Sequence, residues 1–299
     1  MRDYMKPCPP GVSPPAISPF NFGEPLEQSL ILRHVVPCSI PVFRFSGDTP
    51  VELGTGTIFR IDEVHLLVTA AHVVTGLSKD ECIVLIGDGG RCFRPIYTRA
   101  SVAEPDVAVL RLSEESVAQL PKGQAVLGLR DVANFREPFF YRNEFILCGF
   151  PVASQVIDRA RADLQPLVYR CVAYEGTAPE EVDIVWERPF IRGVDFLLHL
   201  DEVGRHPDGT SAPLPPLNGM SGCPLWGMVP GTVPGGMKIF GIQTAVLRSR
   251  WVRCTLWGVV VGIICRAWPE LRDTARGHFG DVIDEGEGDD LEEPSPNAR

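Results

Sequence analysis

The chain predicts an all-β fold, and three observations predict it. Short segments rich in Val, Ile and Phe succeed one another from residue 39 onward, broken by turns of Gly, Pro, Asp and Ser. Several of these segments alternate apolar and polar residues as half-buried strands do. Long amphipathic helical patterns are scarce, and no repeat of roughly 20 to 50 residues stands out. Many short strands with few helices fit a sandwich or a pair of barrels, not a doubly wound sheet.

In chain order the strand segments are SIPVFRF (39–45), TGTIFRI (55–61), HLLVTA (65–70), CIVLIG (82–87), DVAVLRL (106–112), EFILCGF (144–150), LVYRCVAY (167–174), DFLLHL (195–200), KIFGIQTA (238–245) and WGVVVGII (257–264). The last belongs to CTLWGVVVGIIC (254–265), the longest uncharged apolar stretch, set between Arg253 and Arg266. It is too short to span a membrane and reads as buried strand. SEESVAQL (113–120) reads as a short helix and RAWPELRDTARG (266–277) as a terminal one. Residues 1–28, rich in Pro and Gly without periodicity, read as an extended arm.

The 299 residues, 44% hydrophobic, suffice for a sizeable core. Net charge is −10, but residues 281–299 hold eight acids against Arg299 alone. The tail from 279 to 299 is therefore expected to be disordered, and the body is close to neutral. No basic stretch interleaved with aromatics occurs, which argues against a nucleic-acid partner. Nine cysteines, without a CxxC pair or a Cys/His cluster at zinc spacing, read as reduced thiols and give no metal or cofactor site. The N-terminus has no apolar run fit for a signal peptide, so a cytoplasmic location without a membrane partner is expected.

LNGMSGCPLWG (217–227) presents Ser221 between glycines, which suits either a turn or a nucleophile loop. A hydrolase elbow would need Gly two positions after the serine and a helix beyond it. Cys223 and Pro224 oppose both. A serine hydroxyl needs a base, for which imidazole is suited. Of six histidines, His34, His199, His206 and His278 lie in loop-like or strand-end surroundings and His65 starts a strand. His72, in LLVTAAHVV, follows an apolar run where Thr69, Ala70 and Ala71 permit close packing. By itself such a histidine is more often a packed structural residue. Asp106 opens PDVAVLRL, where a carboxylate could orient an imidazole or merely cap a turn after Pro105.

TAAH, then Asp-Val-Ala-Val-Leu, then Gly-x-Ser-Gly-x-Pro occur in the order and local context of the chymotrypsin/trypsin-like serine proteases. The chain resembles that superfamily over about residues 36 to 270, and more closely its bacterial intracellular trypsin-like peptidase domains. GTGTIFRI (54–61) resembles the Gly-rich strand before the histidine, DFLLHLDEVGRHPDGTSAPLPPLNGMSGCPLW the approach to the serine, and KIFGIQTA the strand bordering the cleft. The resemblance implies two six-stranded antiparallel β-barrels with a short C-terminal helix. The implied peptidase domain is 29–278, with barrel one about 36–135, barrel two about 140–265 and the helix about 266–277.

It further implies His72 as general base and acid, Asp106 as its orienting carboxylate and Ser221 as nucleophile. The backbone N–H groups of Gly219 and Ser221 would form the oxyanion hole. Met220 stands where secreted relatives have an aspartate that pairs with a freed N-terminus, so activation through that pair is not expected. Cys223, often glycine in the family, reads as a packing residue whose thiol near the serine is open to oxidation. Pro215, near the pocket base, offers no acid for a basic P1 residue. A small or apolar P1 side chain is expected instead, with Gln243 and Thr244 as cleft-wall residues. The implied activity is a serine endopeptidase acting on protein or peptide, regulated through its arms or a protein partner. A catalytically silent protease-fold scaffold and a triad-bearing esterase or autoprocessing enzyme are the alternatives.

Overall fold

The structure, a computed structural model, describes residues 31–47, 49–133, 144–152, 156–157, 162–164, 166–173, 190–191, 193–200, 203–205, 210–213, 217–229, 236–247, 251–279 and 292–296. The arm at 1–28 lies outside the described residues.

Strands β1 (Ser39–Ser46), β2 (Thr49–Ile61), β3 (Val64–Ala70), β4 (Glu81–Ile86), β5 (Tyr97–Val102) and β6 (Val107–Leu112) build the first sheet. All pair antiparallel in the order β5-β6-β3-β2-β1-β4. Asp62, at φ +52°, makes the two-residue turn that joins β2 to β3. The sheet curls on itself, but among the described residues β4 and β5 do not pair with each other, so it is a half-barrel and not a closed ring.

The second sheet holds β7 (Glu144–Gly149), β8 (Leu167–Ala173), β9 (Asp195–Leu200), β10 (Pro224–Met228), β11 (Met237–Leu247) and β12 (Trp251–Leu256). Their order is β9-β12-β11-β10-β7-β8, and β8 pairs back onto β9 through Cys171 opposite Leu200. These six strands therefore close into a barrel. The architecture is all-β, a closed six-stranded barrel and a curled half-barrel, with helices at its C-terminal end.

Strand alternation explains how the two halves join. On β2, Ile58 points into the half-barrel while its neighbour Phe59 points out of it; Leu67 and Leu66 divide the same way on β3, and Leu110 and Val109 on β6. The outward set meets Ile146, Cys148, Trp226, Ile239 and Ile242 from the closed barrel, forming a core between the halves. The closed barrel is filled by a separate set including Leu147, Tyr169, Leu198, Leu225 and Val252. Because strands of the half-barrel are covered on both faces, they read as nearly continuous apolar runs.

One strand expectation is overturned. WGVVVGII is not a strand: β12 stops at Leu256, and α3 (Trp257–Ala267) follows α1 (Ala71–Val74) and α2 (Glu114–Ala118) as the third helix. Trp257, Val260, Val261 and Ile264 fall at helical spacing and enter the core between the halves. Trp257 meets Phe59 edge-on at 5.4 Å. Gly262 faces open space. A short run that is apolar all round cannot be told from a buried strand by periodicity, and the packing decides. The terminal helix expected over 266–277 is accordingly divided, its first residues ending α3 and the rest forming α4 (Arg272–Phe279). The short helix after Ser113 is present as α2, with the Ser113 hydroxyl accepting from the Ser116 N–H.

The tail departs from expectation in part. Glu292–Pro296 is strand β13, antiparallel to β5, with Ser295 opposite Arg99. The half-barrel leaves β5 as an edge, and an edge offers unpaired N–H and C=O groups to any extended segment.

Candidate active site

β3 ends at Ala70, opposite Val107 of β6. That register sets Asp106 beside the first turn of α1, which carries His72. The Asp106 carbonyl accepts from the Ala71 N–H at 3.1 Å. Its carboxylate accepts twice more, from the His72 backbone N–H (Oδ1, 3.0 Å) and from the ring (Nδ1 to Oδ2, 2.8 Å). A carboxylate only accepts, so the ring nitrogen that faces it, Nδ1, carries a proton. Asp106 has φ +65°, a left-handed conformation that aspartate tolerates better than most residues. From the second half, the Thr255 hydroxyl donates to the Pro105 carbonyl at 3.0 Å and braces this turn. The His72 side chain is 44% exposed and that of Asp106 17%, so the pair opens to solvent on its imidazole side.

Ser221 belongs to a tight loop between Leu217 and β10. Met220 N–H donates to the Leu217 carbonyl and Cys223 N–H to the Met220 carbonyl, at 3.0 and 2.9 Å. The loop is tied on both sides. Gly222 N–H donates to the Gln243 carbonyl of β11, and Val152 N–H donates to the Asn218 carbonyl. From the half-barrel, Thr55 N–H reaches the Ser221 carbonyl at 2.8 Å, and Thr55 Oγ1 reaches the Gly219 carbonyl at 2.8 Å.

These bonds orient the two amides expected to hold an oxyanion. In a trans peptide the C=O and the following N–H point opposite ways. Holding the Asn218 carbonyl against Val152 turns the Gly219 N–H away from that segment. Holding the Met220 carbonyl against Cys223 does the same for the Ser221 N–H. Among the described residues neither amide has an acceptor.

Gly219, at φ +96°, lies so close to the Phe150 carbonyl that a Cβ would not fit. Gly222, at φ +91°, would drive a Cβ into the Thr55 carbonyl and the Thr69 hydroxyl. Gly222→Ala is expected to lower stability by about 3 kcal/mol, from left-handed strain plus displacement of backbone. A urea melt measures this, and a loss below about 1 kcal/mol would mean that the loop is not seated on β2 and β3 in this way.

The structure thus brings the Ser221 loop and the His72–Asp106 pair to the junction of the two halves. Gly54 shows how close they come: a Cβ there would touch both Val73, next to His72, and the Ser221 carbonyl. Among the described residues no hydrogen bond joins Ser221 Oγ to the imidazole. Such contacts often close only when substrate binds.

Met220 is 1% exposed and packs among Leu225, Cys223 and Tyr169 in the closed barrel. Burial of Met220 therefore anchors the loop. Pro215 lies outside the described residues. Gln243 and Thr244 lie on β11 beneath the loop, 1% and 2% exposed, with their side chains shut off from solvent. The Gln243 amide has no hydrogen-bond partner among the described residues. Thr244 occupies the bulge where β11 shifts register against β12.

Cys223 is fully buried, and burial pushes its thiol well above the ordinary range. Burial likewise raises Cys148 to about 12. The nucleophile in these thiols is the thiolate, so the site is protected from thiol chemistry. In the native protein iodoacetamide is expected to reach the half-buried Cys82 and Cys92 before any of the buried thiols. Peptide mass spectrometry reads the order, and early loss of Cys223 would contradict it.

Thr55 and the Phe150–Val152 segment were not singled out from the sequence. The GTG at 54–56 drew attention only as a glycine-rich strand, and a threonine in a strand is ordinary.

The chain matches no protein-family profile and no curated protein. Among solved structures it is similar to a serine endoprotease from Yersinia pestis (16% identity, TM-score 0.46, covering 86% of this chain and 69% of that one). It is also similar to the HtrA-type protease AlgW with tripeptide (14%, 0.45, 79% and 61%). A third similar chain comes from work on the coupled folding and binding of the intrinsically disordered Sesbania mosaic virus VPg protein (15%, 0.42, 74% and 87%). Separately, among the described residues no helix is long and apolar enough to cross a membrane.

Proposed function

We propose that the chain is a serine endopeptidase of the bacterial intracellular trypsin-like kind, cleaving protein or peptide substrates in the cytoplasm. The observation that carries this reading is the two-point grip of Asp106 on His72, which orients the imidazole near a Ser221 loop whose Gly219 and Ser221 N–H groups have no acceptor among the described residues.

The steps follow from those atoms. Ser221 Oγ attacks the scissile carbonyl as His72 Nε2 takes its proton, and Asp106 stabilises the resulting imidazolium. The carbonyl oxygen becomes an oxyanion and receives hydrogen bonds from the Gly219 and Ser221 N–H groups. Collapse breaks the C–N bond, and the imidazolium gives its proton to the leaving amine. Water, deprotonated by the same imidazole, then hydrolyses the acyl-enzyme and restores Ser221.

The open Ser221–His72 contact favours a second reading, a protease-fold scaffold without activity. Reaction with a fluorophosphonate separates the two, because only an activated serine is phosphonylated. Labelling of the wild type, at a site assigned to Ser221 by peptide mass spectrometry, is the expected result. A wild type that stays unlabelled while a control protease reacts favours the scaffold.

A further inference from the structure

The hydroxyl of Thr55 stands at the meeting of three segments distant in sequence. Thr55 is fully buried on β2. Its Oγ1 donates to the Gly219 carbonyl at 2.8 Å and accepts from the Phe150 N–H at 3.1 Å. Its own N–H holds the Ser221 carbonyl at 2.8 Å, and its carbonyl accepts from the Thr69 hydroxyl at 2.8 Å. All four polar functions of this residue's backbone and side chain are therefore committed, and two of them fall on carbonyls of the nucleophile loop. The segment that Thr55 holds at Phe150 also carries Val152, whose N–H fixes the Asn218 carbonyl.

We propose that Thr55 is the positioning residue of the oxyanion donor at Gly219: its hydroxyl holds the Gly219–Met220 peptide directly and, through the Phe150–Val152 segment, the Asn218–Gly219 peptide that carries the Gly219 N–H. The proposal rests on the hydrolase reading above for its catalytic meaning, while the structural clamp stands independently. Glycine at 219 makes such a clamp necessary. A residue without Cβ has a wide choice of φ and ψ, and an unheld peptide could rotate its N–H away from the cleft. Preorganised donors act because they need not reorient as charge develops. Asn218 and Gly219 keep that orientation only while both of their carbonyls are bonded.

Thr55→Val keeps the volume and the β-branch but leaves the Gly219 carbonyl and Phe150 N–H without this partner, whereas Thr55→Ser keeps the hydroxyl. With a fluorophosphonate and a fluorogenic ester as probes, Thr55→Val is expected to lower the labelling rate and kcat by about 10- to 100-fold with KM within about twofold. Thr55→Ser is expected to restore both to within about threefold. Retention of near-wild-type labelling by Thr55→Val, or equal failure of Thr55→Ser, overturns the proposal. A second measurement does not depend on activity. Amide hydrogen exchange over residues 217–222 should accelerate in Thr55→Val and not in Thr55→Ser, and equal exchange in all three proteins overturns the clamp. An unlabelled wild type with that exchange difference would remove the hydrolase reading and leave the clamp in place.

Discussion

Ser221→Ala is expected to lower peptide hydrolysis by about 10^6-fold and to abolish fluorophosphonate labelling, with no change in the fold. The size of the effect follows from the chemistry. Without the hydroxyl no acyl-enzyme forms, and what remains is the electrostatic help of the loop amides to a water molecule. The absence of a structural penalty follows from the geometry. Ser221 engages its neighbours through its carbonyl, held by Thr55 N–H, and among the described residues its Oγ makes no hydrogen bond that alanine would forfeit. The melting temperature should therefore stay with the wild type. Residual turnover within tenfold of wild type would mean that another residue is the nucleophile.

Asp106→Asn is expected to lower kcat by about 10^4-fold with KM little changed. The carboxylate accepts from two donors of His72 at once, the backbone N–H on Oδ1 and ring Nδ1 on Oδ2. An amide has one oxygen and one NH2 group, so it serves only one of these donors. If the oxygen stays with the backbone N–H, the NH2 group faces Nδ1 and drives the ring proton to Nε2. That tautomer cannot accept the proton of Ser221. Steady-state kinetics and the labelling rate measure the loss, and circular dichroism confirms that the turn at Pro105 survives. A loss below about tenfold would mean that Asp106 merely caps the α1 turn, the ordinary role for such a residue.

Much of the strand order was legible because a strand with a covered face writes its burial into neighbouring residues. HLLVTA and DVAVLRL are such segments, and β3 and β6 pair with one another where they were expected as strands. WGVVVGII was misread for the complementary reason. Its residues are apolar on nearly every side, so no polar stripe reveals the helical period, and only its seat between the two halves makes it a helix. The Glu292–Pro296 strand was hidden by its acidic surroundings, since the pairing it makes is a backbone property of an open sheet edge.

Local chemistry, then, was written along the chain: an imidazole after small residues, a carboxylate before an apolar strand, a serine flanked by glycines, and the spacing of strands that fits an all-β protein. Those signals depend on near neighbours, which covalent order supplies. The tertiary structure alone decided which groups meet. Thr55 and Gly219 are 164 positions apart, yet one hydrogen bond between them helps to set the direction of an amide. Such a contact leaves no periodicity behind, because its partners are chosen by how the half-barrel and the closed barrel pack together. The same packing settled that Met220 anchors the loop by burial, and that Gln243 lies closed beneath it.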